Sequence, residues 1–183
     1  MVEDKSLNNL VIKKARNGKG IFANKNFKKG YEILKLKKGK LMSYEEIVYD
    51  KNEDKYVQVD KKLYFNPFGN LIVFLNHSCN PNVGIIIKQN EIHLVAIKNI
   101  FIGEEITFDY STTMDEDDWT MKCNCGDKNC REIIKDFKHL PKFIQKKYLE
   151  LGIVPDYIKK DLQKYLKSPP KAFINDFFLY LVL

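Results

Sequence analysis

Arginine is nearly absent from this sequence. Of 31 basic residues, only Arg16 and Arg131 carry a guanidinium group; the rest are lysine. Proteins that read base edges favour arginine forks and clustered basic patches. Here the lysines are scattered, mostly among acidic residues, so the net charge of +7 reads as a solvated surface. No direct nucleic-acid site is expected, although a general attraction to acidic partners remains. An apolar h-region is missing near Met1, which predicts no secretory signal. Long apolar runs are missing too. The stretch Phe177-Phe178-Leu179-Tyr180-Leu181-Val182-Leu183 falls far short of the roughly 20 residues that span a bilayer. No membrane partner is expected, and the location that follows is intracellular and cytoplasmic, or nuclear in a eukaryotic source. Internal repeats and low-complexity tracts are also lacking.

The 183 residues, 44% of them hydrophobic, fit one domain with an extension. Residues 8–14 read as a strand, followed by Asn17-Gly18-Lys19-Gly20-Ile21-Phe22-Ala23. Two glycines around one residue allow a tight turn or a close backbone approach to a ligand. Lys28-Lys29-Gly30 is a turn, and Tyr31 to Met42 reads as one or two strands broken at Gly39. Ser43-Tyr44-Glu45-Glu46 has the spacing of a capping box and predicts a short helix to about Tyr49. A strand pair is expected at 56–60 and 63–66, and a hairpin at 83–87 and 91–97 around Gln89-Asn90. The last third changes character. Pro141 suits a helix start, with Phe143, Ile144, Tyr148 and Leu151 at helical spacing and Gly152 as a stop. Pro155 opens a second helix with Ile158, Leu162, Tyr165 and Leu166 on one face. Ser168-Pro169-Pro170 breaks it, and 171–183 reads as a third, apolar helix. These stripes are expected to pack on the domain; a dimer face is the alternative.

Three segments carry the chemistry. Asn76-His77-Ser78-Cys79-Asn80-Pro81-Asn82-Val83 is polar but follows the apolar run Leu71-Ile72-Val73-Phe74-Leu75. Gly103-Glu104-Glu105-Ile106-Thr107-Phe108-Asp109-Tyr110 comes about one hairpin later. Cys123, Cys125 and Cys130 then form a C-x-C-x4-C cluster. Clustered thiols without a secretory signal favour metal over disulfides. A structural zinc takes four ligands, and Cys79 is the one remaining cysteine of the chain. Free thiols are the alternative, and His77, His93 or His139 are lesser candidate ligands. Taken alone, Tyr110 reads as a core aromatic of a strand, and Asn76 and His77 as the cap of a turn.

In this order, the three segments resemble the SET domain of protein lysine methyltransferases, with its cysteine-rich post-SET tail. The resemblance covers about residues 10–134 and leaves the C-terminal helices unaccounted for. It implies a mostly β fold of short strands and sheets with a pseudoknot, here with a helical C-terminal extension. The boundaries it suggests are 1–115 for the SET domain, 116–134 for the post-SET zinc-binding segment and 135–183 for the extension. It also implies methyl transfer from S-adenosylmethionine to a lysine amine of a protein substrate such as a histone, a ribosomal protein or a DNA-packaging protein. Tyr110 matches the family's catalytic tyrosine. Gly18, Lys19, Gly20, Asn76, His77 and Tyr110 match its cofactor-binding positions, with His77 acting through its backbone. Cys79, Cys123, Cys125 and Cys130 would hold one structural zinc. Phe108 stands where family members carry phenylalanine or tyrosine, which implies capacity for di- or trimethylation. The chain departs from the family pattern at Val73, often arginine; at Leu36, often tyrosine; and at Glu132, often glycine. The acidic run Asp115-Glu116-Asp117-Asp118 could attract a lysine-rich peptide. The competing reading is a non-catalytic, zinc-stapled module that binds protein or nucleic acid.

Overall fold

The computed structural model describes residues 9–36, 39–88, 91–117 and 119–167, the side chains of 163–167 excepted. Strands β1 (Leu10–Ala15) and β2 (Gly18–Ala23) form an antiparallel hairpin. The turn itself falls on Arg16 and Asn17, so the two glycines open β2 and do not make the bend. Gly18 sits at φ +80°, where a side chain would be strained. Strand β3 (Glu32–Leu36) is followed by β4 (Leu41–Ser43) and helix α1 (Tyr44–Ile47). The expected capping box starts α1, with the Ser43 N–H donating to Glu46 Oε2 at 2.7 Å. The helix is shorter than expected and ends before Tyr49.

Strands β5 (Val57–Asp60) and β6 (Leu63–Phe65) pair through the Lys61-Lys62 turn. The apolar run Leu71–Phe74 is a single 3-10 turn that buries Ile72. Then come β7 (Asn76–His77), β8 (Val83–Lys88), β9 (Glu91–Ala96) and β10 (Glu105–Phe108). A small ribbon of β11 (Thr120–Lys122) and β12 (Ile133–Lys135) leads into helices α2 (Lys142–Glu150) and α3 (Asp156–Lys167). Three sheets, ordered β1-β2-β10-β7, β3-β9-β8 and β4-β6-β5, surround one core. The alternating burial of β9, with Ile92, Leu94 and Ala96 inward, is what a half-buried strand requires. Ile21, Phe27, Ile33, Phe65, Ile85, Ile100 and Ile106 meet at the centre. The fold is thus mostly β with a helical C-terminal region, as expected from the strand patterns.

The C-terminal helices build a second apolar cluster from Phe137, Tyr148, Ile153, Val154, Tyr157 and Ile158. It docks on the β8 side through Gly84, where an added Cβ would overlap the Ile153 side chain. One expectation fails. Phe143, placed on the inward stripe of α2, is 74% exposed, and Gln145 is buried instead. The Gln145 amide donates to the Lys138 and Leu140 carbonyls at 3.0 and 2.8 Å, capping the preceding turn. Those orphan carbonyls bring Gln145 inward beside Ile144, Tyr148 and Leu151, which pack in the apolar cluster as expected. The expected inward face of α3 holds at Ile158 and Leu162; the side chains of Tyr165 and Leu166, the Gln89-Asn90 turn and the third helix over 171–183 lie outside the described residues. No helix among the described residues is long and apolar enough to cross a membrane.

Candidate active site

The site grows from one pairing. Strand β7 runs parallel to β10, with Asn76 opposite Thr107 and His77 opposite Phe108. Asn82 stitches the segment further: its Oδ1 accepts from Thr107 N–H at 2.9 Å and its Nδ2 donates to Glu105 O at 2.8 Å. The Ser78 N–H also donates to Phe108 O at 3.0 Å. A polar segment too hydrophilic to order itself by burial is thereby held by backbone and amide bonds. The result places Asn76, His77 and Cys79 beside Phe108 and Tyr110.

Asn76 faces β2. Its Nδ2 donates to Lys19 O at 3.1 Å and to Glu105 Oε1 at 2.7 Å. A Cβ on Gly20 would overlap Glu105 Oε1 and stand 3.0 Å from Asn76 Nδ2, so Gly20 is required for this approach. A polar cavity of about 290 Å³ opens alongside, lined by Arg16, Asn76, His77, Glu105 and Cys125 among others. Gly18, Lys19 and Gly20 stand behind Asn76 and Glu105 and do not themselves line it.

Tyr110 is fixed at both ends. Its N–H donates to His77 Nδ1 at 3.2 Å and its hydroxyl donates to Leu75 O at 2.9 Å. Its ring lies 4.7 Å from that of Phe108 and 5.3 Å, edge-on, from that of His77. Burial, with lesser help from the Asp54 and Glu105 charges, pushes its phenol well above the usual range. Tyr110 therefore stays a neutral hydrogen-bonding phenol at any working pH. It lines a second cavity of about 650 Å³, together with Phe108, Leu75, Tyr56, Trp119 and Glu116. The two cavities share no lining residue; the His77–Tyr110 ring pair stands between them, with His77 lining the smaller and Tyr110 the larger. Three carboxylates of the acidic stretch, Asp115, Glu116 and Asp117, line the larger one, and burial pushes the carboxyls of Asp115 and Glu116 upward.

Between Phe108 and Tyr110, the Asp109 carboxylate is fully buried. Arg131 grips it with a fork, at 2.6 Å to Oδ2 and 2.7 Å to Oδ1. The Tyr148 hydroxyl donates to Oδ2 at 3.0 Å, and the Ser111 N–H donates to Oδ1 at 3.1 Å. A buried carboxylate is tolerated only with such partners. Arg131 comes from the cysteine tail and Tyr148 from α2, so three parts of the chain meet on one charge.

The cysteine tail closes on Cys79. The Cys79 and Cys123 sulfurs are 3.7 Å apart. Ligand atoms of His77, Cys79, Cys123 and Cys125 all lie within 4.8 Å of one another, a grouping that can hold a metal ion. Cys130, expected as the fourth thiolate, lies outside that grouping but packs against Cys79, Cys123 and Ile134, its Sγ 3.9 Å from the Cys123 carbonyl. Backbone N–H groups of Arg131 and Glu132 point at the Cys79 and Cys130 sulfurs, both at 3.4 Å. Burial holds the Cys79 thiol up at about 11 and that of Cys123 higher still. At Cys125 burial also raises the thiol, but N–H donors of Cys79 and Asp127 outweigh it and bring it to about 7. Sulfurs clustered with N–H donors fit a thiolate-bound cation. His77 is the fifth candidate donor. Burial lowers its ring to about 4, so it is neutral. Its Nδ1 accepts from Tyr110, which leaves the ring proton on Nε2, 3.3 Å from Cys79 Sγ. In that tautomer the ring donates to the sulfur and offers no lone pair to a metal.

The expected site residues thus fall into three adjoining groups: Asn76 and His77 at the small cavity with Gly18–Gly20 behind, Phe108 and Tyr110 at the large one, and the four cysteines beneath His77. His93 and His139 stay apart from them; His93 pairs with Glu32 at 2.7 Å in mid-sheet. Asp109, Arg131, Tyr148 and Glu105 carry much of the geometry and were not singled out by sequence. A lone charge between two aromatics, Phe108-Asp109-Tyr110, was the available signal for the first.

A profile of the SET domain matches residues 18–111. Histone-lysine N-methyltransferase 2B of Homo sapiens is 29% identical over 140 residues, covering 68% of this chain and 5% of that protein. The trithorax histone-lysine N-methyltransferase of Drosophila virilis is 29% identical over 139 residues, covering 68% of this chain and 4% of that protein. The chain therefore spans only a small part of the curated relatives it matches. Among solved structures, a humanized mutant of the Chaetomium thermophilum Polycomb Repressive Complex 2 bound to the inhibitor GSK126 aligns with TM-score 0.51 and 25% identity, over 57% of this chain and 15% of that one. KRYPTONITE in complex with mCHG DNA and SAH aligns with TM-score 0.53 and 22% identity, over 68% of this chain and 28% of that one, and shares the fold. With a profile match over more than half its length, laid on the β2, β7 and β10 arrangement described above, the chain belongs to the SET-domain family.

Proposed function

We propose that the protein transfers methyl groups from S-adenosylmethionine to the side-chain amine of lysine in a protein substrate. The observation that carries this reading is the doubly anchored Tyr110, which lines the larger, aromatic-walled cavity and touches His77, a wall residue of the polar one. The relatives' shared name, histone-lysine N-methyltransferase, supports it. So does the SAH bound to KRYPTONITE, a structural neighbour. A histone-like, lysine-rich protein is the substrate class this favours, with ribosomal and DNA-packaging proteins as further members, and a nuclear location where the source has a nucleus.

S-Adenosylmethionine, when bound, supplies an electrophilic methyl group on its sulfonium. Asn76 and His77 line the polar cavity and would hold its amino-acid and adenine ends, with Gly20 allowing the close approach. A substrate lysine must arrive neutral, against a reference pKa of about 10.4. The apolar walls of Ile72, Leu75 and Phe108 disfavour the ammonium form. Tyr110 orients the amine through its phenol and is no strong base, because burial holds its proton in place. Phe108 carries no hydroxyl to crowd a methylated amine, which supports di- or trimethylation. The four sulfurs of Cys79, Cys123, Cys125 and Cys130 would hold a structural zinc that pins segment 116–134 over the site. His77 then serves as a hydrogen-bond donor to Cys79.

The test is calorimetric titration of the zinc-replete protein with S-adenosylmethionine, followed by turnover on lysine-rich substrates. Asn76→Ala should weaken binding at least tenfold, and Tyr110→Phe should spare binding but cut turnover about a hundredfold. Mass spectrometry of the products should show more than one methyl per lysine, and Phe108→Tyr should shift them towards monomethyl. Absence of cofactor binding at one zinc per chain would favour the zinc-stapled binding module instead.

A further inference from the structure

The C-terminal helices lie outside the residues that match the family profile, yet two buried tyrosines send their hydroxyls from them to residues that frame the active site. Tyr148 of α2 donates to Asp109 Oδ2 at 3.0 Å, immediately before Tyr110 in the chain. Tyr157 of α3 donates to Thr113 O at 2.5 Å and to Gln58 O at 3.1 Å. Thr113 and Gln58 both line the larger cavity, from opposite chain segments. Gln58 closes the same link, its Oε1 accepting from Asp115 N–H at 2.8 Å. Both tyrosines sit in the apolar cluster that joins the helices to the sheet, at 2% and 7% exposure. A buried hydroxyl aimed at a partner 39 or 44 residues away is costly to maintain for packing alone, since phenylalanine would fill the same space.

We infer, on the methyltransferase reading above, that the C-terminal helices brace the active site from behind, with Tyr148 and Tyr157 as positioning residues of two distinct kinds. Tyr148 acts through Asp109 and fixes the backbone that carries Tyr110. Its hydroxyl holds the Asp109 carboxylate, and the same carboxylate accepts from Ser111 N–H. Tyr157 acts on the substrate side and sets the spacing of the cavity walls at Thr113 and Gln58. The first controls the geometry of the transfer step, the second the fit of the peptide.

Phenylalanine substitutions test this, since they remove one hydroxyl and keep the ring. Tyr148→Phe should lower kcat about tenfold with peptide KM within twofold. Tyr157→Phe should raise peptide KM about tenfold with kcat within twofold, each being the loss of one hydrogen bond to a positioned group. Cofactor-binding stoichiometry, measured alongside, should stay at one per chain in both. Plain destabilisation would instead lower kcat and stoichiometry together in both variants and leave KM alone, and that result overturns the inference. Hydrogen–deuterium exchange of the free protein supplies an arm that needs no turnover. Tyr148→Phe should speed exchange at the Tyr110 and Ser111 amides at least tenfold, and Tyr157→Phe at the Asp115 amide. Faster exchange in these places with no methyl transfer by the wild type would retain the positioning role and sink the enzyme reading. Unchanged exchange and unchanged kinetics would sink the positioning role itself.

Discussion

Removing the Arg131 side chain should cost more than any other single surface-accessible charge. The Asp109 carboxylate has no solvent exposure, and Arg131 supplies its counter-charge through two bonds of 2.6 and 2.7 Å. Breaking a buried pair from one side costs about 3–5 kcal/mol, because the remaining charge stays buried. In Arg131→Met the Tyr148 hydroxyl and the Ser111 N–H still donate to Asp109, so the lower end, about 3 kcal/mol, applies. At roughly 2–4 °C per kcal/mol for a chain of this size, the midpoint should fall by about 6–12 °C. Circular dichroism melts in zinc-replete buffer at neutral pH would read this directly. The double variant Asp109→Asn/Arg131→Met removes both charges and keeps an acceptor for Tyr148, so it should recover at least half of the loss. A single variant within about 0.5 kcal/mol of wild type, the usual range for surface sites, would refute the reasoning. So would a double variant no better than the single.

Stripping metal with a chelator should lower the melting midpoint and expose segment 123–130 to protease, with one zinc per chain released by elemental analysis. Gly20→Ala should weaken cofactor binding more than tenfold by displacing Glu105 and Asn76, and should also cost about 1–3 kcal/mol of stability because the new methyl crowds the Ala15 side chain. Gly84→Ala should destabilise the chain by about 1–3 kcal/mol and raise exchange in α2, because the new methyl overlaps Ile153. Asp136→Asn should stabilise at pH 7 by about 1 kcal/mol, since both carboxylate oxygens are buried and the nearby Glu116 and Asp117 N–H groups fall short of good hydrogen-bond geometry. Burial raises the Asp136 carboxyl above 3.8, with the Glu116 and Asp117 N–H groups and the Lys138 and His139 charges pulling the other way. The folded state therefore binds this proton more tightly than the unfolded state, and the penalty is present above the raised value. The gain should fade as pH falls through that value towards 3.8, which melts at a series of pH values would follow.

Much of this architecture was legible in the sequence because it is local. Alternation in β9, the Ser43–Glu46 capping box and the cysteine spacing each speak within a few residues. The fork from Arg131 to Asp109 and the Tyr148 hydroxyl do not, because they join positions 22 and 39 residues apart through no shared pattern. On α2 the expected face holds at Ile144, Tyr148 and Leu151 and fails at Phe143, while Gln145 goes inside to satisfy carbonyls contributed by the turn before the helix. Beyond the backbone role expected of His77, its ring links the Tyr110 amide to Cys79, a tie that no spacing announces. Periodicity counts hydrophobic residues and is blind to polar groups that go inside for a partner.

The meeting of three segments on Asp109 also sets a timetable for the newborn chain. Hairpins such as β1–β2 and β8–β9 join near neighbours and can close as they emerge. The charge between Phe108 and Tyr110 has to wait for a residue 39 positions later. At 5–20 residues per second of synthesis that delay is about 2–8 s. Until Arg131 has been made, 22 positions on, burying Asp109 is unfavourable, so the segment around Tyr110 should close after the sheets behind it. The order of synthesis thus places the ties that fix the Tyr110 segment after the sheets they close upon.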